Sequence, residues 1–165
     1  MNEYLIALGG NLGDAPATLR RARTAIAALP DTSVTASSLL YRTPPIGPPG
    51  QPDYYNAVIA VTTALSPLSL LDALQAIENC HGRVRLEHWG ARTLDLDIIA
   101  MGTQIIEQPR LIVPHPYMHC RQFVLRPLCD IQPQWHHPLL GKSATSLLAT
   151  VEQDEGVALT MGEIW

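Results

Sequence analysis

The sequence predicts an α+β domain, an antiparallel sheet with helices packed on one another and on it. Three observations predict this class. Four short apolar or alternating runs read as strands, two amphipathic stretches between them read as helices, and the last third of the chain turns helical. The order is β-α-β-β-α-β followed by an α-rich extension, the ferredoxin-like split β-α-β pattern.

Each element has a local cause. Residues 4 to 8 (YLIAL) form a buried strand that Gly9 and Gly10 stop. Asp14 caps a helix whose Leu19, Ala22, Ile26 and Leu29 share one face, and Pro30 ends it. Ser33 to Thr43 reads as a second strand. The eleven residues T-P-P-I-G-P-P-G-Q-P-D that follow contain five prolines, too many for a helix or a ladder, and make a stiff, shaped loop. Tyr54 to Thr63 is the third strand. Ser66 and Pro67 open a helix with Leu70, Leu74 and Ile77 inward, closed at Gly82. In LDLDIIAM, residues 94 to 101, alternation sets Leu94, Leu96, Ile98 and Ala100 on one face and Asp95 and Asp97 on the other. After a turn at 101 to 103, residues 111 to 131 mix a Pro-bounded loop with a short helix, and Ser143 to Val151 is a last helix.

A chain of 165 residues with 47% hydrophobic content fits one domain, 1–165, that buries roughly two-thirds of its unfolded surface. A net charge of -4 and a pI near 5.8 argue against nucleic acid or an anionic membrane as partner, so any phosphate site must be local. Cys80, Cys120 and Cys129 are odd in number and form no C-x-x-C pair, which suits a reducing cytoplasm. No apolar stretch reaches membrane-spanning length, so a soluble cytoplasmic protein is expected, and it is read as a monomer. Ten of the eleven basic residues are Arg, and six of them fall between positions 83 and 126. Guanidinium forks match phosphate oxygens, although a coding bias toward Arg would also enrich them.

The segment His88-Trp89-Gly90-Ala91-Arg92-Thr93-Leu94-Asp95-Leu96-Asp97-Ile98-Ile99 carries the chemistry. Residues i and i+2 of a strand point the same way about 6.6 Å apart, so Asp95 and Asp97 can hold hard cations between or beside them. Magnesium bridging ATP phosphates is the natural candidate, with Arg92 on a non-bridging oxygen. Alone, two such acids also describe the wet face of an antiparallel strand.

The blocks L-G-G-N-L-G-D, Y-R-T-P-P-I-G, Q-P-D-Y-Y-N-A-V, G-R-V-R, W-G-A-R-T-L-D-L-D-I-I and V-P-H-P occur in that order. With them the chain, from about Tyr4 to Leu128, resembles the 6-hydroxymethyl-7,8-dihydropterin pyrophosphokinase family. The resemblance implies transfer of the β,γ-pyrophosphoryl unit of ATP to the hydroxymethyl group of the pterin, a step of folate biosynthesis that releases AMP. It implies that Asp95 and Asp97 ligate two magnesium ions and that Arg92, His115 and Arg121 contact the triphosphate. Arg83 and Arg85 would ride a closing loop that excludes water, although charges at a helix exit are also common on surfaces. Trp89 and Ile98 would seat the nucleotide. Gln75 and Glu78, one turn apart, would face it too, unless they are an exposed polar pair. The pterin ring would lie between Tyr54 and Phe123, the chain's one Phe, where core packing is the alternative. Thr43, Pro44 and Ile46 would offer main-chain groups to its edge, and Asn56 both a donor and an acceptor.

The sequence departs from the family pattern at Gly10 (usually Ser), His88 (usually Arg or Lys) and Ala91 (frequently Pro). A neutral imidazole at 88 weakens a phosphate clamp, so weaker ATP binding or slower turnover is expected. Two other classes compete. A non-catalytic nucleotide or pterin binder would bind without releasing AMP, and an RNA-binding module would need exposed aromatics on central strands and a basic face. No G-x-x-x-x-G-K-[ST] phosphate loop occurs.

Overall fold

β1 (Asn2–Gly10) occupies the middle of an antiparallel sheet, between β4 (Tyr54–Thr63) and β5 (Asp95–Ala100), with β2 (Thr32–Ser37) beyond β4. The three-residue β3 (Tyr41–Thr43) also pairs with β4, over Asn56, Tyr55 and Tyr54. The computed structural model describes residues 1–44, 50, 52–81 and 93–165. Among these the chain is α+β, with helices on both faces of the sheet.

On one face, α1 (Ala15–Ala27) and α2 (Pro67–Cys80) pack Leu19, Ala22, Ile26, Leu70, Leu74 and Ile77 against Tyr4, Ile6, Leu8, Ile59 and Val61 of the sheet. Both helices start where the sequence places their caps. The Asp14 carboxylate accepts from Ala17 N at 3.2 Å, and Ser66 Oγ accepts from Ser69 N at 3.4 Å. The expected stop at Gly82 lies outside the described residues; the last turn closes on His81, whose N–H reaches Glu78 O.

On the other face, α3 (Gln122–Ile131) and a 3-10 turn at Met118–Cys120 pack Met118, Val124 and Leu128 on Leu5, Val58, Ala60 and Ile99. α4 (Ala144–Glu155), capped by Ser143, closes over α3 through Leu147, Leu148 and Val151 against Leu125. β4 therefore has helices on both sides, which explains its unbroken apolar run. Among the described residues no helix is long and apolar enough to cross a membrane.

Four details depart from the sequence reading. The ladder of β1 continues through both glycines, pairing Gly9 with Asn56 and Gly10 with Tyr55. The strand expected over 33–43 is two strands, because at Ser38 the side chain takes over the ladder: its Oγ accepts from Val58 N at 2.9 Å while its own N–H reaches Val58 O. A register shift between Leu5 and Ile6 turns the end of β5, so Ala100 packs with Ile99 on the α3 side rather than with Leu94, Leu96 and Ile98. A small hairpin, β6 (Ile106–Gln108) with β7 (Leu111–Val113), stands where no strand is predicted.

Candidate active site

Strand pairing alone brings the site together. Gly9 faces Asn56 of β4 on one side and Asp95 of β5 on the other, and Ala7 faces Asp97. With no side chain at Gly9, the Asn56 amide lies across the strand; a Cβ there would stand 2.8 Å from Asn56 Oδ1. Gly9 is thus a packing requirement and not a strand stop.

Two cavities open at this place. The first, of about 200 Å³, is lined by Gly9, Gly10, Thr43, Pro44, Tyr54, Asn56 and Phe123, together with Asp95, Asp97, His115 and Arg121. The second, of about 320 Å³, lies over α2 and the β6–β7 hairpin and is lined by Gln75, Glu78, Ile98, Arg110 and Ile112, again with Asp95, Asp97 and His115. The two carboxylates and the imidazole line both cavities and so mark their junction. Tyr54 and Phe123 share the first cavity with the amide of the buried Asn56, 8% exposed.

Among the described residues no strand pairs with β5 on the side away from β1, so its outer N–H groups need other partners. Glu78, 3% exposed on α2, supplies one: its Oε2 accepts from Leu96 N at 2.8 Å, midway between the two aspartates. Gln75 is exposed and Glu78 buried, so they are not a surface pair. A buried N–H left without its acceptor costs about 1–3 kcal/mol. Glu78→Ala is therefore expected to lower the melting temperature by about 5 °C, at 2–4 °C per kcal/mol for a chain of this size, and to reduce activity. Glu78→Gln, which keeps the carbonyl oxygen, restores both; thermal melts and initial rates check this.

His115 follows the cis Val113–Pro114 bond, and its main-chain N–H reaches Ile99 O at 3.0 Å. Burial, reinforced by the Arg121 guanidinium and opposed by Asp95, lowers its pKa from 6.5 to about 4, so the ring is neutral near pH 7. Nδ1 accepts from Tyr117 N at 3.2 Å, which leaves the proton on Nε2 as a donor. The folded chain binds this proton less readily than the unfolded one, so stability falls as the pH drops from 6.5 toward about 4 and is unaffected above that range. Melting curves of His115→Gln are expected to show a smaller loss across that interval.

Arg121 precedes α3, its guanidinium 5.4 Å from the Tyr117 ring centre and 5.5 Å from that of Phe123. Arg110, not among the predicted site residues, stands in the second cavity, paired with Asp72 and donating to Gln75 Oε1 at 3.3 Å. Its signal in the sequence was its place in the Arg-rich stretch 83–126, and the Pro109–Arg110 turn of the hairpin carries its guanidinium over α2. Ile98 lines the same cavity but is 3% exposed and mostly core. Ile46, Arg83, Arg85, His88, Trp89, Ala91 and Arg92 lie outside the described residues.

Among the described residues no group of three or more His, Cys, Asp or Glu could hold a metal. Two half-buried carboxylates beside a polar cavity nonetheless suit magnesium, which takes one or two carboxylates and fills its shell with phosphate oxygens and water.

The family model described as 7,8-dihydro-6-hydroxymethylpterin-pyrophosphokinase (HPPK) matches residues 5–133. The 2-amino-4-hydroxy-6-hydroxymethyldihydropteridine pyrophosphokinase of Haemophilus influenzae is 52% identical over 126 residues, 76% of this chain and 79% of that one. Its Pseudomonas aeruginosa namesake is 49% identical over 144 residues, 87% and 88% of the two chains. Among solved structures, the wild-type HPPK-DHPS of Plasmodium falciparum superposes with a TM-score of 0.70 at 15% identity, covering 96% of this chain. This chain spans 46% of that fused one, and the likeness concerns the fold. The chain belongs to the 7,8-dihydro-6-hydroxymethylpterin-pyrophosphokinase family.

Proposed function

We propose that this chain transfers the β,γ-pyrophosphoryl unit of ATP to the hydroxymethyl oxygen of 6-hydroxymethyl-7,8-dihydropterin, a step of folate biosynthesis. The observation that carries the reading is the shared lining. Asp95, Asp97 and His115 stand where a cavity with an aromatic pair and an amide meets a polar cavity with an arginine. Family membership supplies the two substrates.

In this reading the pterin ring stacks between Tyr54 and Phe123, with its polar edge on Asn56 and on main-chain groups of Thr43, Pro44 and Ile46. Its hydroxymethyl group then points at the junction. ATP occupies the polar cavity, with its base and sugar toward Gln75, Glu78, Ile98 and Arg110, Trp89 against it, and its phosphates toward His115 Nε2 and Arg121. Attack by the hydroxymethyl oxygen on the β-phosphorus forms the new O–P bond and breaks the bond from that phosphorus to the α,β-bridging oxygen. AMP leaves, and the hydroxyl proton passes to solvent. Arg83, Arg85 and Arg92 are assigned to the phosphate chain.

Asp95 and Asp97 would hold two magnesium ions. Ions held there would offset the charge of the phosphate chain and help align its reacting oxygens. Glu78 keeps the strand that carries both ligands in register, and neutral His115 donates without adding charge. We read the whole of 1–165 as one ferredoxin-like unit with an α-rich extension, working as a cytoplasmic monomer without nucleic acid or membrane.

The test is product identity. With ATP, magnesium and 6-hydroxymethyl-7,8-dihydropterin, the chain should yield AMP and the pterin diphosphate in equal amounts. ADP, or binding of both substrates without turnover, would contradict this reading.

A further inference from the structure

The segment after α4 touches neither cavity, yet it ties together the elements that wall the first one. Gly156, at φ 76°, turns the chain out of α4 toward the first turn of α3. There the buried Gln122, between Arg121 and Phe123, grips it from both sides: Nε2 donates to Gly156 O at 2.6 Å, and Oε1 accepts from Ala158 N at 3.0 Å.

The segment then runs along the outer edge of β3. Thr160 N donates to Arg42 O at 3.2 Å and Thr160 Oγ1 accepts from Arg42 N at 3.3 Å. Leu40 and Glu163 exchange main-chain hydrogen bonds of 2.7 and 2.9 Å in an antiparallel bridge. Gly162 lies so close to β3 that a Cβ would be 2.7 Å from Leu39 and 2.9 Å from the Tyr41 ring. Trp165 completes the path: its Nε1 donates to Ser38 O at 2.7 Å, and the Arg23 guanidinium stacks 3.9 Å over its indole.

β3 is only three residues long, and Asp130 of α3 accepts from its Tyr41 OH at 2.8 Å. A strand so short gains most of its fixity from its neighbours. Its last residue, Thr43, and the following Pro44 form one wall of the first cavity, while Arg121 and Phe123, flanking Gln122, form the other.

We propose that residues 156–165 are a positioning strap that fixes β3 relative to the start of α3, and so sets the width of the acceptor cavity. The strap acts through Thr43, Pro44 and Phe123, because it reaches the first turn of α3 at one end and β3 farther along. This rests on the first cavity being the acceptor site, as proposed above. None of the polar cavity's lining lies on β3 or α3, and of the groups assigned to the nucleotide only Arg121 adjoins the strap's anchor, so nucleotide binding should change far less than pterin binding.

Binding constants separate the possibilities. With magnesium and a non-hydrolysable ATP analogue, calorimetry on the intact chain gives the affinity for 6-hydroxymethylpterin as probe, and titration without pterin gives that for the analogue. Deleting residues 157–165, replacing Gln122→Ala, and replacing Gly162→Val to push the strap off β3 should each weaken pterin binding about tenfold or more, since sub-ångström misplacement of positioning groups is costly. Analogue binding should weaken by a much smaller factor. If the deletion does not fold, the two point variants carry the test. Equal weakening of both ligands, or unchanged pterin affinity in a folded variant, overturns the strap. Failure of the intact chain to bind pterin at all sinks the proposed function, and the strap with it.

Discussion

Replacing either Asp95 or Asp97 by Ala is expected to slow AMP formation by about a thousandfold or more, equivalent to roughly 4 kcal/mol of lost transition-state stabilisation. Their position argues for an effect of this size. Each is fixed through its own strand pairing, Asp95 to Gly9 and Asp97 to Ala7, and the Leu96 N–H between them is held by Glu78. Both line the two cavities, where they can serve the donor and the acceptor at once. Neither belongs to the hydrophobic clusters that hold the sheet to its helices, so folding should hardly change. Initial rates beside thermal melts check this; a variant within tenfold of the parent rate would contradict it.

Gly9→Ala is expected to raise the KM for the pterin by about a hundredfold, the size of effect that a roughly 1 Å misplacement of a positioning group can have. The added methyl meets Asn56 Oδ1 at 2.8 Å, closer than real Cβ contacts come, so the amide must move. Gly9 also pairs with Asp95, and both β1 neighbours are buried strands that resist displacement. The strain therefore falls on the Asn56 side chain. Asn56→Ala should reproduce the loss, and combining the two should add little, because both act on one amide. The KM for ATP should change little in either variant. Equal rises for both substrates would show instead that the β1–β4 pairing had slipped.

Much of the fold was readable because period and caps agreed. β4 was bounded at Tyr54 and Thr63 by its apolar run, and Asp14, Ser66 and Ser143 each accept the hydrogen bond that opens a helix. The shared face of Asp95 and Asp97 followed from alternation alone. What stayed hidden depends on partners distant in sequence. Ser38 breaks a strand because Val58, twenty residues on, bonds its side chain. The bulge at Leu5 and Ile6 turns Ala100, and no local pattern announces it. Arg110 enters the polar cavity on a hairpin of three-residue strands, too short to show a period. Glu78 was expected either to face the nucleotide or to belong to an exposed polar pair, and no local pattern shows that the Leu96 N–H of β5 draws its carboxylate inside.

The site was legible in a different way. Composition pointed only to a local phosphate site, and spacing only to two acids on one strand face. The family resemblance joined Asn56, Phe123, His115 and Arg121 to them, and the structure sets all four on one cavity. The role of Gly9 emerged from register, since a glycine ending an apolar run reads as a stop until its neighbour across the ladder is known.

Counting bound metal in the ternary complex probes the junction most directly. With Mn²⁺ in place of magnesium, a non-hydrolysable ATP analogue and the pterin, electron paramagnetic resonance should find two ions per chain, magnetically coupled to each other. Asp95→Ala and Asp97→Ala should each lose at least one of them and the coupling. Two coupled ions persisting in both variants would mean that the carboxylates of β5 are not the ligands, and that the two cavities do not meet at a metal site.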